Sequence, residues 1–340
     1  MPTACVQQPG SKVSLESERL IVHFTGEDNQ AQRREIPLRD LDRIIIGESV
    51  SITNPALAEI MRRSIPASFI DHHGRFLGAF QPATIPHGAA RLRQYQRTLD
   101  PEFALSMASK IIVAKIYNQR RLIQRISANR KAEEKPTPPS LSAVMDTLAR
   151  AMNAAGKAPS LESLRGHEGL AAAKYFSTLA ALLPPEFPFE RRSTKPPLNP
   201  VNAVLSFTST LVYQELNSFI HAHGLDPALG LLHTTENGRW SLALDLMEPF
   251  RPVLCEALTL DLFSHRMLNE NHFEPQNGGI YLNRGGRTKL ILQYEKRMER
   301  QFMSESSGHR TTLRQQLENQ AILFKVALDD IDRFEPFVMN

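Results

Sequence analysis

The sequence predicts an α+β fold of two domains: a small β-rich N-terminal domain over 1–84 and a larger all-α domain over 85–340. Up to Phe80, short segments rich in Val, Ile and Phe alternate with turn residues. After QPATIPHG, at 81–88, helix formers dominate. The length of 340 residues, 41% of them apolar, suffices for two cores at roughly 100–200 residues per domain.

In chain order, KVSL, RLIVHF, REIPL, RIIIG, ASFID and the run ending in RFLGAF read as strands, with GEDN as a turn. His72 and His73, beside Gly74, fit a hairpin turn. One short helix interrupts the strands, because Asn54-Pro55 offers an N-cap followed by proline at the first helical position, and ALAEIMRRS keeps helical spacing. From Ala104 to Arg130 a long helical pattern holds Ile111, Ile112, Ile116, Ile123 and Ile126 on one broad face. The proline-rich stretches 132–140 and 184–200 read as surface connections between helices. No internal repeat or heptad array is present.

Cys5 and Cys255 lie far apart without CxxC spacing, which argues against a disulfide framework or a thiolate zinc site and suits a reducing cytoplasm. The N-terminus lacks the pattern of a signal peptide, and no stretch approaches the roughly 18 apolar residues that span a bilayer. A cytoplasmic protein with no membrane partner is expected.

Forty Lys and Arg against 36 Asp and Glu leave a net charge of only +4, but the basic residues are unevenly placed. Between Arg91 and Lys131 stand ten Lys or Arg and two acids. At helical spacing Lys110, Arg121 and Arg125 fall within about 60 degrees of one another. Arg191, Arg192 and Lys195 form a second cluster, and Arg284, Arg287, Lys289, Lys296 and Arg297 a third. Such runs are either solvated faces or surfaces that track a polyanion such as DNA.

LGLLHTTENGRWSLALDLMEPFRP, at 229–252, places His233, Asp245 and Glu248 in an apolar run. It reads as a buried segment ending at His233, a turn at Asn237-Gly238, and a run entering a helix with Pro249 near its start. If the run is helical, Asp245 and Glu248 project to one side, with His233 brought back by the turn. Two oxygens and an imidazole could then hold Mg²⁺ or Mn²⁺. Alternatively, the acids complement a helix N-terminus and the His is a structural hydrogen-bonding residue. Glu168, between glycines in LRGHEGLAAAKYF, offers a third carboxylate or another helix-start acid.

RGHEGLAAAKYF, PPLNPVNAVLSF, GLLHTTENGRWSLALDLMEPFRP and GGIYLNRGGRTKL, in that order, resemble the CRISPR-associated protein one family, the integrase of spacer acquisition. The resemblance covers most of 90–300. It implies a β-rich N-terminal domain that dimerises, a helical catalytic domain, and a small ferredoxin-like CRISPR-associated partner. It also implies a divalent metal, Mg²⁺ or Mn²⁺, on Glu168, His233 and Glu248, with Asp245 as an additional nearby acid of the catalytic set. Asn202 matches a motif Asn and is expected, with Lys110, Arg121, Arg125, Arg191, Arg192 and Lys195, at the DNA surface. Ser209 stands where the family often has Tyr. The implied activity is metal-dependent cleavage and transesterification of DNA that inserts fragments into a CRISPR array, acting on double-stranded and branched DNA. The alternatives are a stand-alone metal-dependent nuclease on branched DNA and a non-catalytic DNA-binding scaffold.

Overall fold

The computed structural model describes residues 3–26, 30–41, 43–71, 76–80, 88–134, 140–304 and 308–339. The chain forms two compact units, 1–87 and 88–340. The expected boundary after residue 84, residues 27–29 of the GEDN turn, His72, His73, and 135–139 of one proline-rich connection lie outside the described residues.

The first unit contains β1 (Thr3–Val6), β2 (Lys12–Glu16), β3 (Arg19–Thr25), β4 (Ala31–Pro37), β5 (Arg43–Gly47), β6 (Ser51–Ile52), α1 (Asn54–Arg62), β7 (Ala67–Ile70) and β8 (Phe76–Phe80). Its two four-stranded sheets have the orders β1-β5-β7-β8 and β4-β3-β2-β6. In the second, Val13 faces Val22 and Leu15 faces Leu20, so the period of two turns Val13, Leu20 and Val22 to one buried face. Ile44 and Ile46 do the same in β5, and Ala56 and Ile60 of α1 complete the core. The helix starts at Asn54, as Asn-Pro predicts, although its N-cap is Thr53, which makes no side-chain cap bond. TACV and SI, now β1 and β6, are too short for a periodic signal.

The second unit is helical: α2 (Gly88–Thr98), α3 (Pro101–Ala132), α4 (Ser140–Ala155), α5 (Leu161–Ala180), α6 (Pro200–Ala222), α7 (Ser241–Met247) and α8 (Ala257–Ser264) precede a hairpin of β9 (Phe273–Gln276) and β10 (Gly279–Leu282). Then come α9 (Arg284–Glu299), a short pair β11 (Phe302–Met303) and β12 (Arg310–Thr311), and α10 (Leu313–Ala327). Among the described residues no helix is long and apolar enough to cross a membrane.

The 32-residue α3 is the spine of this unit. Asp100 caps it by accepting the N–H of Glu102 and Phe103, and Pro101 fits the first turn. Ile111, Ile112, Ile116 and Ile123 are fully buried along one stripe, where α4, α5 and the segment after α7 pack. Asn118 ties that spine down: its Nδ2 donates to the carbonyls of Pro249 (2.7 Å) and Phe337 (3.0 Å), and its Oδ1 accepts the Met339 N–H (2.7 Å).

Between α7 and α8 the helix is not regular. Glu248–Phe250 is a 3₁₀ turn and Arg251–Glu256 a π-helical turn, in which the Ala257 N–H reaches the Pro252 carbonyl. Pro249 and Pro252 have no N–H to donate, so the ordinary ladder cannot run through them. Pro249, expected near a helix start, instead follows the end of α7, and Glu248 opens the 3₁₀ turn.

Candidate active site

A cavity of about 320 Å³ is lined by Lys115, Arg165, Glu168, Leu232, His233, Thr234, Arg239 and Glu248. Each wall comes from a different element. Lys115 comes from α3, Arg165 and Glu168 from α5, His233 from the connection after α6, and Glu248 from the 3₁₀ turn after α7. Three residues predicted to share a site, Glu168, His233 and Glu248, thus face one pocket.

The pocket is organised around a lysine. Lys115 Nζ lies 2.5 Å from Glu168 Oε1 and 2.5 Å from Glu248 Oε2. Arg251 adds a looser ion pair to the other oxygen of Glu248, at 3.6 Å. Burial alone would raise the Glu248 pKa, but Lys115 and Arg251 outweigh it and hold the carboxyl at about 2. Burial likewise opposes the Lys115 charge, and Glu248 with Glu168 overcomes it, so its pKa is raised. Glu256, farther along the π-helical turn, is left to burial and is pushed up to about 7 despite Arg251 and Lys115.

His233 is positioned by Asp245. The Asp245 carboxylate is fully buried, accepts the backbone N–H of Leu231 (2.6 Å), Leu232 (3.1 Å) and His233 (3.0 Å), and meets His233 Nδ1 at 2.6 Å. A proton on Nδ1 leaves Nε2 as the nitrogen available to a ligand. Gly230 makes this loop possible, since a Cβ there would stand 2.3 Å from the His233 carbonyl oxygen and 2.4 Å from Ser241 Cβ. Asp245 is not among the pocket-lining residues. Asp245 and Glu248 stand one turn apart, but only Glu248 lines the pocket, while Asp245 is engaged by the loop that carries His233. Asp245 is a positioning residue.

The residues in the pocket fit a hard divalent cation in kind, with two carboxylates and one imidazole. An ammonium stands between those carboxylates. As they stand, no three His, Cys, Asp or Glu side chains among the described residues converge closely enough to hold an ion.

The basic residues sort differently from the prediction. Arg125, Arg191 and Lys195 are exposed, and Arg121 is half-buried, with a long contact to Gln124 at 3.4 Å. Lys110 does not join a free ridge: its Nζ donates to the carbonyls of Ile331 (2.8 Å) and Phe334 (3.4 Å). Asn202 is fully buried, so it holds the preceding loop rather than DNA: it donates to the Arg191 carbonyl (2.9 Å) and accepts from Ser193 N–H (2.9 Å) and Arg192 (3.0 Å). Arg192 also reaches Ser206 Oγ at 3.1 Å, and burial lowers its pKa to about 10. Arg297, in the third basic cluster, bonds the Val253 carbonyl and pairs with Asp261.

The family model for CRISPR associated protein Cas1 matches residues 4–296. This chain belongs to the Cas1 family. The Cas1 endonuclease of Moorella thermoacetica is 30% identical over 341 residues, which cover 99% of this chain and 98% of that protein. A Cas4 exonuclease/Cas1 endonuclease fusion of Geobacter sulfurreducens is 32% identical over 340 residues, 98% of this chain and 59% of the fusion. The chain thus spans little more than half the length of that fused relative. A Cas1 protein from Thermotoga maritima has TM-score 0.77 at 25% identity, with 97% of each chain covered. A casposase bound to its integration product has TM-score 0.82, over 96% of this chain and 90% of that one. At 21% identity that likeness is one of fold.

Against the sequence motifs of this Cas1 chain, the structure adds Lys115, Arg165, Arg239 and Arg251 to the site. Lys115 left a signal: it lies four residues after Ile111 and three after Ile112, on the buried stripe of α3, where a charge requires a partner. Arg165 donates to the Leu232 carbonyl at 2.5 Å and Arg239 to the Thr234 carbonyl at 2.5 Å, contacts that no spacing foretells.

Proposed function

We propose that this Cas1 chain is a divalent-metal-dependent DNA integrase and endonuclease of CRISPR spacer acquisition. In this reading the 3′-hydroxyl of a captured DNA fragment attacks a phosphodiester at the edge of a CRISPR repeat. The observation that carries it is the convergence of Glu168, Glu248 and His233, from three separate elements, on one pocket that already binds a cation. The family match and the endonuclease names of the relatives support it, and so does the shared fold of a casposase bound to its integration product.

Glu168, His233 through Nε2, and Glu248 would hold Mg²⁺ or Mn²⁺. Such an ion supplies charge neutralisation at the phosphoryl oxygens and favours the attacking and leaving oxygens of an in-line displacement. Asp245 keeps the imidazole in one tautomer and orientation. Arg165 and Arg239, fixed to backbone carbonyls at the pocket wall, add positive charge beside the place where phosphate charge builds up. Water in place of the 3′-hydroxyl gives hydrolysis in the same site. The exposed Arg125, Arg191 and Lys195 would bind double-stranded or branched DNA through its backbone, with little base reading. Homodimerisation through the β-rich N-terminal region and a small ferredoxin-like partner belong to the same proposal, on the strength of the family.

The test is a strand-transfer assay on a branched DNA with one labelled 3′ end. Joined product is expected with Mg²⁺ or Mn²⁺, and none with chelator or with Glu168→Gln. Joining at an equal rate in chelator would defeat the metal reading. DNA binding without joining or cleavage under any metal would favour a scaffold.

A further inference from the structure

The metal set proposed above leaves Lys115 without a role, and the residue is costly where it stands. Its neighbours Ile111, Ile112 and Ile116 are fully buried, and its own side chain is 11% exposed. An ammonium in such surroundings persists only when well paired. Its partners are the very carboxylates assigned to the metal, Glu168 from α5 and Glu248 from the turn after α7, each at 2.5 Å.

The arrangement makes the ammonium a substitute for the divalent ion. Left alone, two carboxylates brought together in a mostly buried pocket would repel each other and disfavour ionisation. Lys115 removes that repulsion with a single charge. Because both oxygens lie within 2.5 Å of one nitrogen, no second cation can enter between them while Lys115 stays. His233 lines the same cavity but is not a partner of the ammonium, so a third donor is idle until the occupant changes.

We infer that Lys115 is a built-in competitor for the metal site, whose ammonium withdraws from between Glu168 and Glu248 when a divalent cation binds. The inference rests on the metal reading above. The exchange is of one cation for another: the ammonium keeps its proton, and its flexible four-carbon stem allows the head group to move. Apparent metal affinity is then reduced by the fraction of molecules whose lysine holds the site, as for any ligand that binds a minor conformer. In return, the metal-free protein keeps its paired acids neutralised without unfolding the pocket.

Mn²⁺ alone, titrated by calorimetry into the full chain, tests this. Lys115→Met should bind Mn²⁺ at least about tenfold more tightly than the parent, because the competitor is gone. The same variant should melt at a lower temperature than the parent in chelator, and should gain more than the parent on adding Mn²⁺. Lys115→Gln, which keeps a hydrogen-bond donor for the carboxylates without the charge, supplies the measurement if the methionine variant does not fold. It should also bind Mn²⁺ more tightly than the parent. A parent that binds Mn²⁺ while both variants bind it equally or more weakly overturns the inference and leaves the metal reading standing. Parent and variants that all fail to bind Mn²⁺ overturn both.

Discussion

His233 Nδ1 is held 2.6 Å from Asp245 Oδ1, and the same carboxylate collects three backbone N–H groups of the segment that carries the histidine. One buried acid thus fixes both a loop and a ring. Removing each partner should have separable effects. Asp245→Ala leaves three backbone donors, two of them buried, without their acceptor and should lower stability by about 3–5 kcal/mol. The His233 side chain is 32% exposed, so His233→Ala should change the melting temperature little while abolishing strand transfer. Thermal denaturation beside the branched-DNA assay measures both; an active, folded His233→Ala would remove the imidazole from the site.

Glu248 and Glu256 should bend the stability profile in opposite directions. Glu248 is held at about 2 against an ordinary 4.5, so its stabilisation is complete above pH 4.5 and is lost as pH falls towards 2. Glu256 is raised to about 7 from 4.5, so the fold favours its protonated form, and stability declines as pH rises from 4.5 through 7. Each effect is on the order of 3 kcal/mol. Glu256→Gln should therefore stabilise the protein at pH 8 and leave it nearly unchanged at pH 4, as read by urea unfolding at the two values. An equal effect at both would contradict the assignment.

Gly230→Ala should damage the loop that carries His233. The added methyl meets the His233 carbonyl oxygen at 2.3 Å and Ser241 Cβ at 2.4 Å, neither of which is the far end of a flexible chain. A loss of about 1–3 kcal/mol, typical of overpacking, is expected, together with slower strand transfer. Unchanged melting and rate would show that the loop yields freely.

For DNA, the exposed cations and the buried amide should part company. Arg125→Ala, Arg191→Ala and Lys195→Ala should each weaken binding to unrelated sequences alike and reduce the salt slope by about one. Asn202→Ala should lower stability with little change in affinity, because Asn202 braces the 191–193 loop. Fluorescence anisotropy at several salt concentrations, with a melt for each variant, separates the two classes.

Much of this was legible in the sequence because it is written locally. Alternating Val13, Leu15, Leu20 and Val22 give strands, Asn54-Pro55 a helix start, and the isoleucines of α3 a buried stripe. Glu168, His233 and Glu248 stood out through motifs in order. What was missed depends on the third dimension or on a break in periodicity. Asp245 and Glu248 look equivalent at helical spacing, and only the fold brings the 231–233 loop to one and Lys115 to the other. Lys110 and Asn202 look free in a linear chain, but each is fastened to carbonyls brought near by folding.

A helix is a screw, and the wide turn at Arg251–Glu256 resets its phase. One extra residue per turn advances everything downstream by about 100° relative to an uninterrupted α-helix. Glu248 and α8 are therefore aimed independently, although only eight positions separate Glu248 from Glu256. Deleting a single residue from the turn would preserve composition, charge and hydrophobicity almost unchanged. It would still rotate either the carboxylate or the core face of α8 out of place, so the length of this segment is as strictly specified as its acids.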